Sequence, residues 1–444
     1  MNSLNRKNDI ITALASPYGK SAVAIIRISG NGCVELLSGF LAKPLKVGML
    51  RVNTFISGSF TENLMAVAYK APKSYTGEDL VELFPHGNPV ICDTIIKALL
   101  SGGARLAERG EFTKRAFFNG KLDLMQCEAL ADIIDAQTAE QLEYGNKRYS
   151  GEFKSLSSVQ QLLKTALSSI EAVLHYSDEM EQNEVDGAEM SAVLAAVTEA
   201  ADVLEKEIAG FAGGKVINDG FKVALIGAPN VGKSTLLNAL TDSDRAIVTP
   251  IAGTTRDTID GDYVYNGRKF SVTDTAGLNE NTDDQVEKIG IERAINAAKD
   301  ADAVVLVTDG SDINIDKSAF SRFVSVKNKC DSQKDVGIDY NAARDGEWIC
   351  ISAREKINIT ALKQRLFDLC PADFGSVCNH RQYDCVVRCY DSLNAAKIEA
   401  KKAEGLEIVA ALLYEAYSAI AELYGDRADE SILSEVFERF CVGK

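Results

Sequence analysis

The spacing of apolar residues changes several times along the chain. From residue 156, Leu156, Val159, Leu162, Leu163, Leu167, Ile170, Val173 and Leu174 recur three and four positions apart. That is the period of one helix face, and residues 193–208 repeat it. A third stripe, Ile408, Leu412, Leu413, Ala416, Ile420 and Leu423, predicts another core-facing helix. Between these helical blocks the apolar runs are short and continuous. Residues 221–226 read as a buried strand, and Asn266-Gly267 is a two-residue hairpin signal joining residues 262–265 to 269–272. Near the N-terminus, residues 22–28 and 65–69 read as strands and the region around 89–100 as a helix, so this part predicts an α+β domain.

The loop after the first buried strand carries the chemistry. Gly227-Ala228-Pro229-Asn230-Val231-Gly232-Lys233-Ser234 satisfies G-x-x-x-x-G-K-[ST], and the helix predicted from Thr235 onward points its N-terminal dipole at a bound phosphate. Asn328-Lys329-Cys330-Asp331 follows an apolar run ending at Val326 and fits N-K-x-D. Its carboxylate, Asp331, suits the N1–H and amino group of guanine, a donor pair adenine lacks. Ser352-Ala353-Arg354 resembles the loop that supports guanine from its other side. Asp274-Thr275-Ala276-Gly277 resembles the D-x-x-G switch that holds magnesium through water and senses the γ-phosphate. The order of the motifs predicts an α/β P-loop GTPase of the Ras-like kind. Lys233 is expected on the β- and γ-phosphates, with Ser234 and Thr255 on magnesium.

Leu278 stands where the hydrolytic glutamine is usual, and an apolar side chain orients no water. Asn230, with residues 249–255, resembles GTPases that place potassium where others place arginine; Asn230, Thr249, Ile251 and Thr254 are the expected oxygen ligands.

The chain has 444 residues, more than one core usually serves. A net charge of -16 argues against a surface that binds RNA as a whole, so a nucleic-acid contact is expected to be local or shared. Ten cysteines without an even framework, no secretory leader and no membrane-length apolar run predict a cytoplasmic protein with no membrane partner. Cys378, His380, Cys385 and Cys389 lack the spacing of a zinc ribbon or finger, and Cys385 and Cys389, one helical turn apart, read as core thiols. The acidic stretch 178–189 reads as a solvated loop.

Motifs outside the GTPase segment extend the resemblance. Residues 15–20 and 25–30, Ser74-Tyr75-Thr76-Gly77-Glu78-Asp79-Leu80-Val81-Glu82, His86-Gly87, the stretch 110–123 and the terminal Phe440-Cys441-Val442-Gly443-Lys444 are together similar to the MnmE/TrmE family of tRNA wobble-uridine modification GTPases. Asn88, Arg109 and Val442 depart from the usual pattern. The resemblance implies a folate-binding, dimerising domain (1–121), a discontinuous helical domain (122–215 plus 373–444) and an inserted GTPase domain (216–372). Hinges are expected near Gly213-Gly214 and Pro371-Ala372. It also implies a homodimer that joins an FAD-containing partner in a heterotetramer to install an aminomethyl-type group at C5 of the wobble uridine of certain tRNAs. The cofactors implied are GTP, Mg2+, K+ and 5-formyl- or 5,10-methylene-tetrahydrofolate. Arg27, Glu82, Lys121 and Lys444 match folate contacts of the family. Glu287 matches a residue that organises the attacking water, against the plain alternative of a solvent-facing helix position. Cys441 is a catalytic candidate whose thiol otherwise only shapes the terminal motif. Two rival functions are a regulatory GTPase on ribosomal RNA and a folate-dependent aminomethyltransferase regulated by its GTPase.

Overall fold

In the computed structural model the described residues are 9–153, 155–177, 187–242, 259–274, 301–310, 322–331, 348–400, 406–426 and 428–444. They form two units, Met1–Ala131 with Ala421–Lys444, and Asp132–Ile420.

The first unit is built on a six-stranded sheet. Its strands are β1 (Ile11–Leu14), β2 (Ile26–Ser29), β3 (Arg51–Ser57), β4 (Phe60–Tyr69), β5 (Leu80–Phe84) and β6 (Arg105–Leu106), in the order β3-β4-β5-β2-β1-β6. All pair antiparallel except β1 with β6. Helices α1 (Cys33–Ser38) and α2 (Pro89–Ser101) cover one face, where Ile26, Ile28, Leu37, Phe55, Leu83 and Ile95 are fully buried. Asn88 starts α2: its side chain accepts from Val90 N at 2.9 Å, and Pro89 takes the first helical position, which needs no N–H donor. Helices α3 (Glu111–Phe118) and α4 (Leu124–Asp135) follow. Leu124 and Cys127 pack with Leu433, Phe437 and Phe440, which is why the helix Glu430–Glu438 and the terminal motif group with this unit.

The same unit carries an ion network. Arg105 bridges Asp9 and Glu111 at 2.5 Å each, and Arg115 reaches Asp9, Glu78 and Glu111 at 2.7, 3.0 and 3.1 Å. Burial opposes ionisation of Glu111, but the Arg105 hydrogen bond, the Glu108 N–H and the two guanidinium charges outweigh it and hold the carboxyl below its ordinary range. A carboxyl depressed on folding stabilises above its unfolded value of about 4.5, and that contribution is lost as pH falls through the folded value. Thermal melting between pH 7 and pH 3 is therefore expected to fall steeply below about 4.5 and less steeply in Glu111→Gln. Equal slopes in the two proteins would remove Glu111 from the account.

The second unit joins a helical part to a mostly parallel sheet. Helices α5 (Ala139–Tyr149), α6 (Ser155–Ser177) and α7 (Gly187–Asp219) are followed, beyond the sheet, by helices His380–Ala400 and Leu406–Tyr424. Leu156, Val159, Leu163 and Ile170 of α6 face α7, which presents Val193, Val197, Ala200 and Leu204. Thr138 opens α5 with a reciprocal cap, its hydroxyl accepting from Gln141 N while the Gln141 side chain accepts from Thr138 N.

The expected hinge at Gly213-Gly214 is corrected by the structure. Helix α7 runs through both glycines and ends before Gly220, whose φ of 92° stops it. The glycines serve close approach instead. A Cβ on Gly213 would lie 2.1 Å from Asp373 O, and one on Gly214 would lie 2.4 Å from Val377 O. The returning segment is clamped there: Tyr144 Oη donates to Gly375 O at 2.9 Å, and Ser376 N and Oγ donate to Glu207 at 2.7 and 2.9 Å.

Strands β7 (Phe221–Ile226), β8 (Ile259–Tyr265), β9 (Arg268–Asp274), β10 (Ala303–Thr308), β11 (Phe323–Lys327) and β12 (Ile349–Cys350) form the second sheet, in the order β12-β11-β10-β7-β9-β8. All pairs are parallel except the β8–β9 hairpin. Asn266 and Gly267 both have positive φ there, 49° and 82°, as a two-residue turn of matching twist requires. The acidic stretch read as a loop lies mostly outside the described residues. Among the described residues, no helix is long and apolar enough to cross a membrane.

Candidate functional site

A parallel sheet sends its loops out at the carboxyl ends of its strands, and the motif residues gather there. Gly227 follows β7, Asp274 ends β9, Asp309 follows β10, Asn328 follows β11 and Ser352 lies just beyond β12. The loop after β7 turns tightly because a side chain is excluded at two points. A Cβ on Gly227 would lie 2.2 Å from Val307 O, and one on Gly232 would lie 2.4 Å from Asn328 Nδ2. Asn230 adopts a left-handed φ of 62°, a conformation asparagine tolerates. Helix α8 (Lys233–Thr241) then starts with Gly232 as its cap, so its first amides face the loop.

The side chains converge on this loop. Lys233 is 5% exposed, and its ammonium donates to Gly227 O and Ala228 O, both at 2.7 Å. Burial lowers its pKa while the Asp274 carboxylate pulls the other way. Ser234 Oγ donates to Asp274 Oδ2 at 2.7 Å, and Asp274 is fully buried. A hydroxyl and a carboxylate so placed are the hard oxygen donors that Mg2+ takes, directly or through water. Thr235 follows on the exposed side of α8.

Asn328 ties three loops together. Its Nδ2 donates to Val231 O at 2.9 Å, and its Oδ1 accepts from Ala353 N at 3.0 Å. Lys329, with φ 64°, donates to Asn230 O at 2.8 Å and to Asp309 at 2.9 Å. Asp331 is exposed at the loop's end. Ser352 is buried, with its hydroxyl accepting from Glu355 N, while Arg354 is exposed. Thr249, Ile251, Thr254, Thr255, Thr275, Ala276, Gly277 and Glu287 lie outside the described residues. Of the expected potassium ligands the structure therefore places Asn230.

In the first unit, Arg27 on β2 faces Glu82 on β5 in direct cross-strand register, with Nε and Nη2 donating to Glu82 Oε1 at 3.0 and 2.9 Å. Its Nη1 donates to Gly443 O at 3.2 Å, and its guanidinium stacks over the rings of Tyr75 and Phe112. The terminal motif docks here because Gly443 is left-handed, φ 104°, and lies against Leu14 O. Glu82 and Lys121 line a cavity of about 370 Å³ with Tyr69, Lys73, Tyr75 and Leu80. Lys121 Nζ donates to Pro72 O at 3.3 Å. Cys441 is exposed and Lys444 half-buried. Aromatic faces, a carboxylate acceptor and two lysines suit a flat heterocycle with N–H donors and an anionic tail.

A family model described as "GTP-binding protein TrmE N-terminus" matches residues 10–121, and one described as "MnmE helical domain" matches residues 124–441. The chain belongs to the MnmE/TrmE family. The tRNA modification GTPase MnmE of Fervidobacterium nodosum is 35% identical over 461 residues, covering 99% of this chain and 98% of that protein. That of Thermotoga petrophila is 34% identical, covering 98% and 100%, and that of Carboxydothermus hydrogenoformans is 33% identical, covering 98% and 99%. Among solved structures, the G domain of the T. maritima FeoB iron transporter aligns at 24% identity and a TM-score of 0.25, over 34% of this chain and 99% of that one.

Sequence reasoning missed two contacts of this family member. Asp309, which fixes Lys329, stands two positions beyond the apolar run 303–307, at the end of a parallel strand where a ligand-facing residue is delivered. The rings under Arg27 come from Tyr75 and Phe112, both inside motifs that signalled the family without revealing what each ring touches.

Proposed function

We propose that this chain is a potassium-dependent GTPase that, with an FAD-containing partner, installs a (carboxymethyl)aminomethyl group at C5 of the wobble uridine of certain tRNAs. Family membership carries the coarser part, a GTP hydrolase of tRNA modification. The observation that supports the chemistry is the meeting of Lys233, the Ser234–Asp274 pair and the Asn328 bridge on one loop.

In this reading the α8 amides and Lys233 hold the β- and γ-phosphates, while Ser234, Thr255 and Asp274 hold Mg2+. Asn230, Thr249, Ile251 and Thr254 hold K+, which supplies positive charge to the transition state. Asn328 orders the base loops for Asp331 to read guanine. Glu287 organises the attacking water. A one-carbon folate, 5-formyl- or 5,10-methylene-tetrahydrofolate, occupies the Arg27, Glu82, Lys121 and Lys444 site and supplies the carbon, with Cys441 as the catalytic thiol. The domains are residues 1–121, 122–215 plus 373–444, and 216–372. GTP-dependent pairing of GTPase domains within a homodimer completes the cation site, and hydrolysis then moves the helical parts and resets the complex in the cytoplasm.

GTP hydrolysis in potassium is expected to exceed that in sodium at equal ionic strength by at least about tenfold, and Asn230→Ala is expected to erase the difference. Equal rates in both salts would return the regulatory GTPase to contention. Wobble-uridine modification is expected to disappear from the tRNA of a deletion strain, and its persistence there would end the tRNA assignment.

A further inference from the structure

The two base-reading loops each carry a thiol, and the fold brings the two thiols together. Cys330 occupies the variable position of Asn328-Lys329-Cys330-Asp331, and Cys350 ends β12 two residues before Ser352. Three contacts fix their approach. Lys327 and Cys350 are register partners on the parallel strands β11 and β12. Cys330 Sγ lies 3.3 Å from Lys327 O, and Cys330 N donates to Ile351 O at 3.1 Å. Cys350 is held in the sheet and is 7% exposed, whereas Cys330 is half-buried. Cys385 and Cys389 differ in this respect, since both sulfurs are sealed in a helical core.

We propose that Cys330 and Cys350 are a modification site for peroxide, forming a reversible disulfide that weakens nucleotide binding at the adjoining loops. The Cys330 thiolate attacks the peroxide O–O bond, giving a sulfenic acid and, after protonation, one water. The Cys350 thiol then attacks the sulfenic sulfur, the S–S bond forms, and the hydroxyl leaves with the thiol proton as a second water. Two thiols are oxidised by two electrons and one peroxide is reduced.

Joining the two sulfurs in a bond of about 2.05 Å requires one side to move. Cys350 is pinned by strand pairing, so the movement falls on the loop of Cys330. Its neighbours on either side are Lys329, bonded to Asn230 O and Asp309, and Asp331, the guanine-reading carboxylate. Drawing Cys330 toward β12 pulls both neighbours from those positions. Burial first, and then the neighbouring Cys350, push the Cys330 thiol up to about 11, so the thiolate is scarce at neutral pH. Below that value, disulfide formation should accelerate about tenfold per pH unit.

This inference rests on guanine-nucleotide binding by residues 227–234 and 328–331, and the test separates the two. The full-length protein is treated with hydrogen peroxide at pH 8.5, digested without reductant and mapped by mass spectrometry. Affinity for a fluorescent GTP analogue is measured before treatment, after it, and after dithiothreitol. Expected are a cross-linked Cys330–Cys350 peptide, a Kd raised at least tenfold, and recovery on reduction; Cys330→Ser and Cys350→Ser should each keep the untreated Kd through peroxide. Absence of the cross-link, or a cross-link that leaves Kd within twofold, overturns the proposal. Failure of the untreated protein to bind the analogue would instead sink the nucleotide-binding reading, while the peptide map still reports whether the disulfide forms.

Discussion

Lys233→Met is expected to lower GTP hydrolysis at least about 100-fold, the scale set by removing one preorganised charge donor from a transition state. The substitution keeps the aliphatic stem, so packing at this position, 5% exposed, survives and the loss is electrostatic. The geometry makes the ammonium hard to replace. It is held on the loop by Gly227 O and Ala228 O, both at 2.7 Å, and is partly stripped of water. A phosphate entering the loop therefore meets a positive charge that needs little further desolvation or ordering. Surface lysines cannot supply that, being mobile and screened. The measurement is multiple-turnover hydrolysis together with GTP and GDP affinities. Weakened affinity for both nucleotides is expected because the β-phosphate is common to them. A variant that hydrolyses GTP within threefold of the parent rate would remove Lys233 from the phosphate site.

The candidate nucleotide site was legible because each of its parts is short and local. Gly232-Lys233-Ser234 must follow a strand and open a helix, and a single window of sequence shows all three. The hairpin at Asn266-Gly267 was equally local, since two positive φ angles in succession restrict the residues that fit. Gly213-Gly214 failed for the opposite reason. The hinge there was implied by the family resemblance, and no local window shows that the two glycines face residues 373–377, more than 150 positions away, whose backbone occupies the space where side chains would stand. The ion network of Arg105, Glu111 and Arg115 was hidden in the same way. The residues sit within or beside a recognisable motif, yet their partners Asp9 and Glu78 come from other segments. Tertiary contacts of this kind leave no period in the sequence. The Cys330–Cys350 contact needs the parallel pairing of β11 with β12 before it exists at all.

The largest stability effect is expected at Asp132. Its carboxylate pairs with Arg148 Nη1 at 2.5 Å, with side-chain exposures of 6% and 1%, and the guanidinium also lies over the Tyr144 ring. Removing one member of so buried a pair leaves a charge that water cannot reach, a cost of about 3–5 kcal/mol, so Asp132→Ala should lower the unfolding free energy by that amount. Replacing both members with apolar side chains of similar size, Asp132→Leu with Arg148→Met, should recover more than half of the loss, because no lone buried charge remains. The pair anchors α5, whose first turn connects to the sheet: Glu140 accepts from Arg268 at 2.5 and 3.1 Å, and Arg268 opens the strand that ends at Asp274. Tyr144 on the same helix holds the segment returning from the sheet through Gly375 O. Loosening α5 therefore releases two supports of the nucleotide-binding part, and Asp132→Ala should weaken nucleotide affinity as well as lower the urea midpoint. A single variant costing under about 1 kcal/mol would show that Arg148 finds water or another acceptor when Asp132 is gone. A double variant as unstable as the single one would show that packing volume, rather than the unpaired charge, sets the cost.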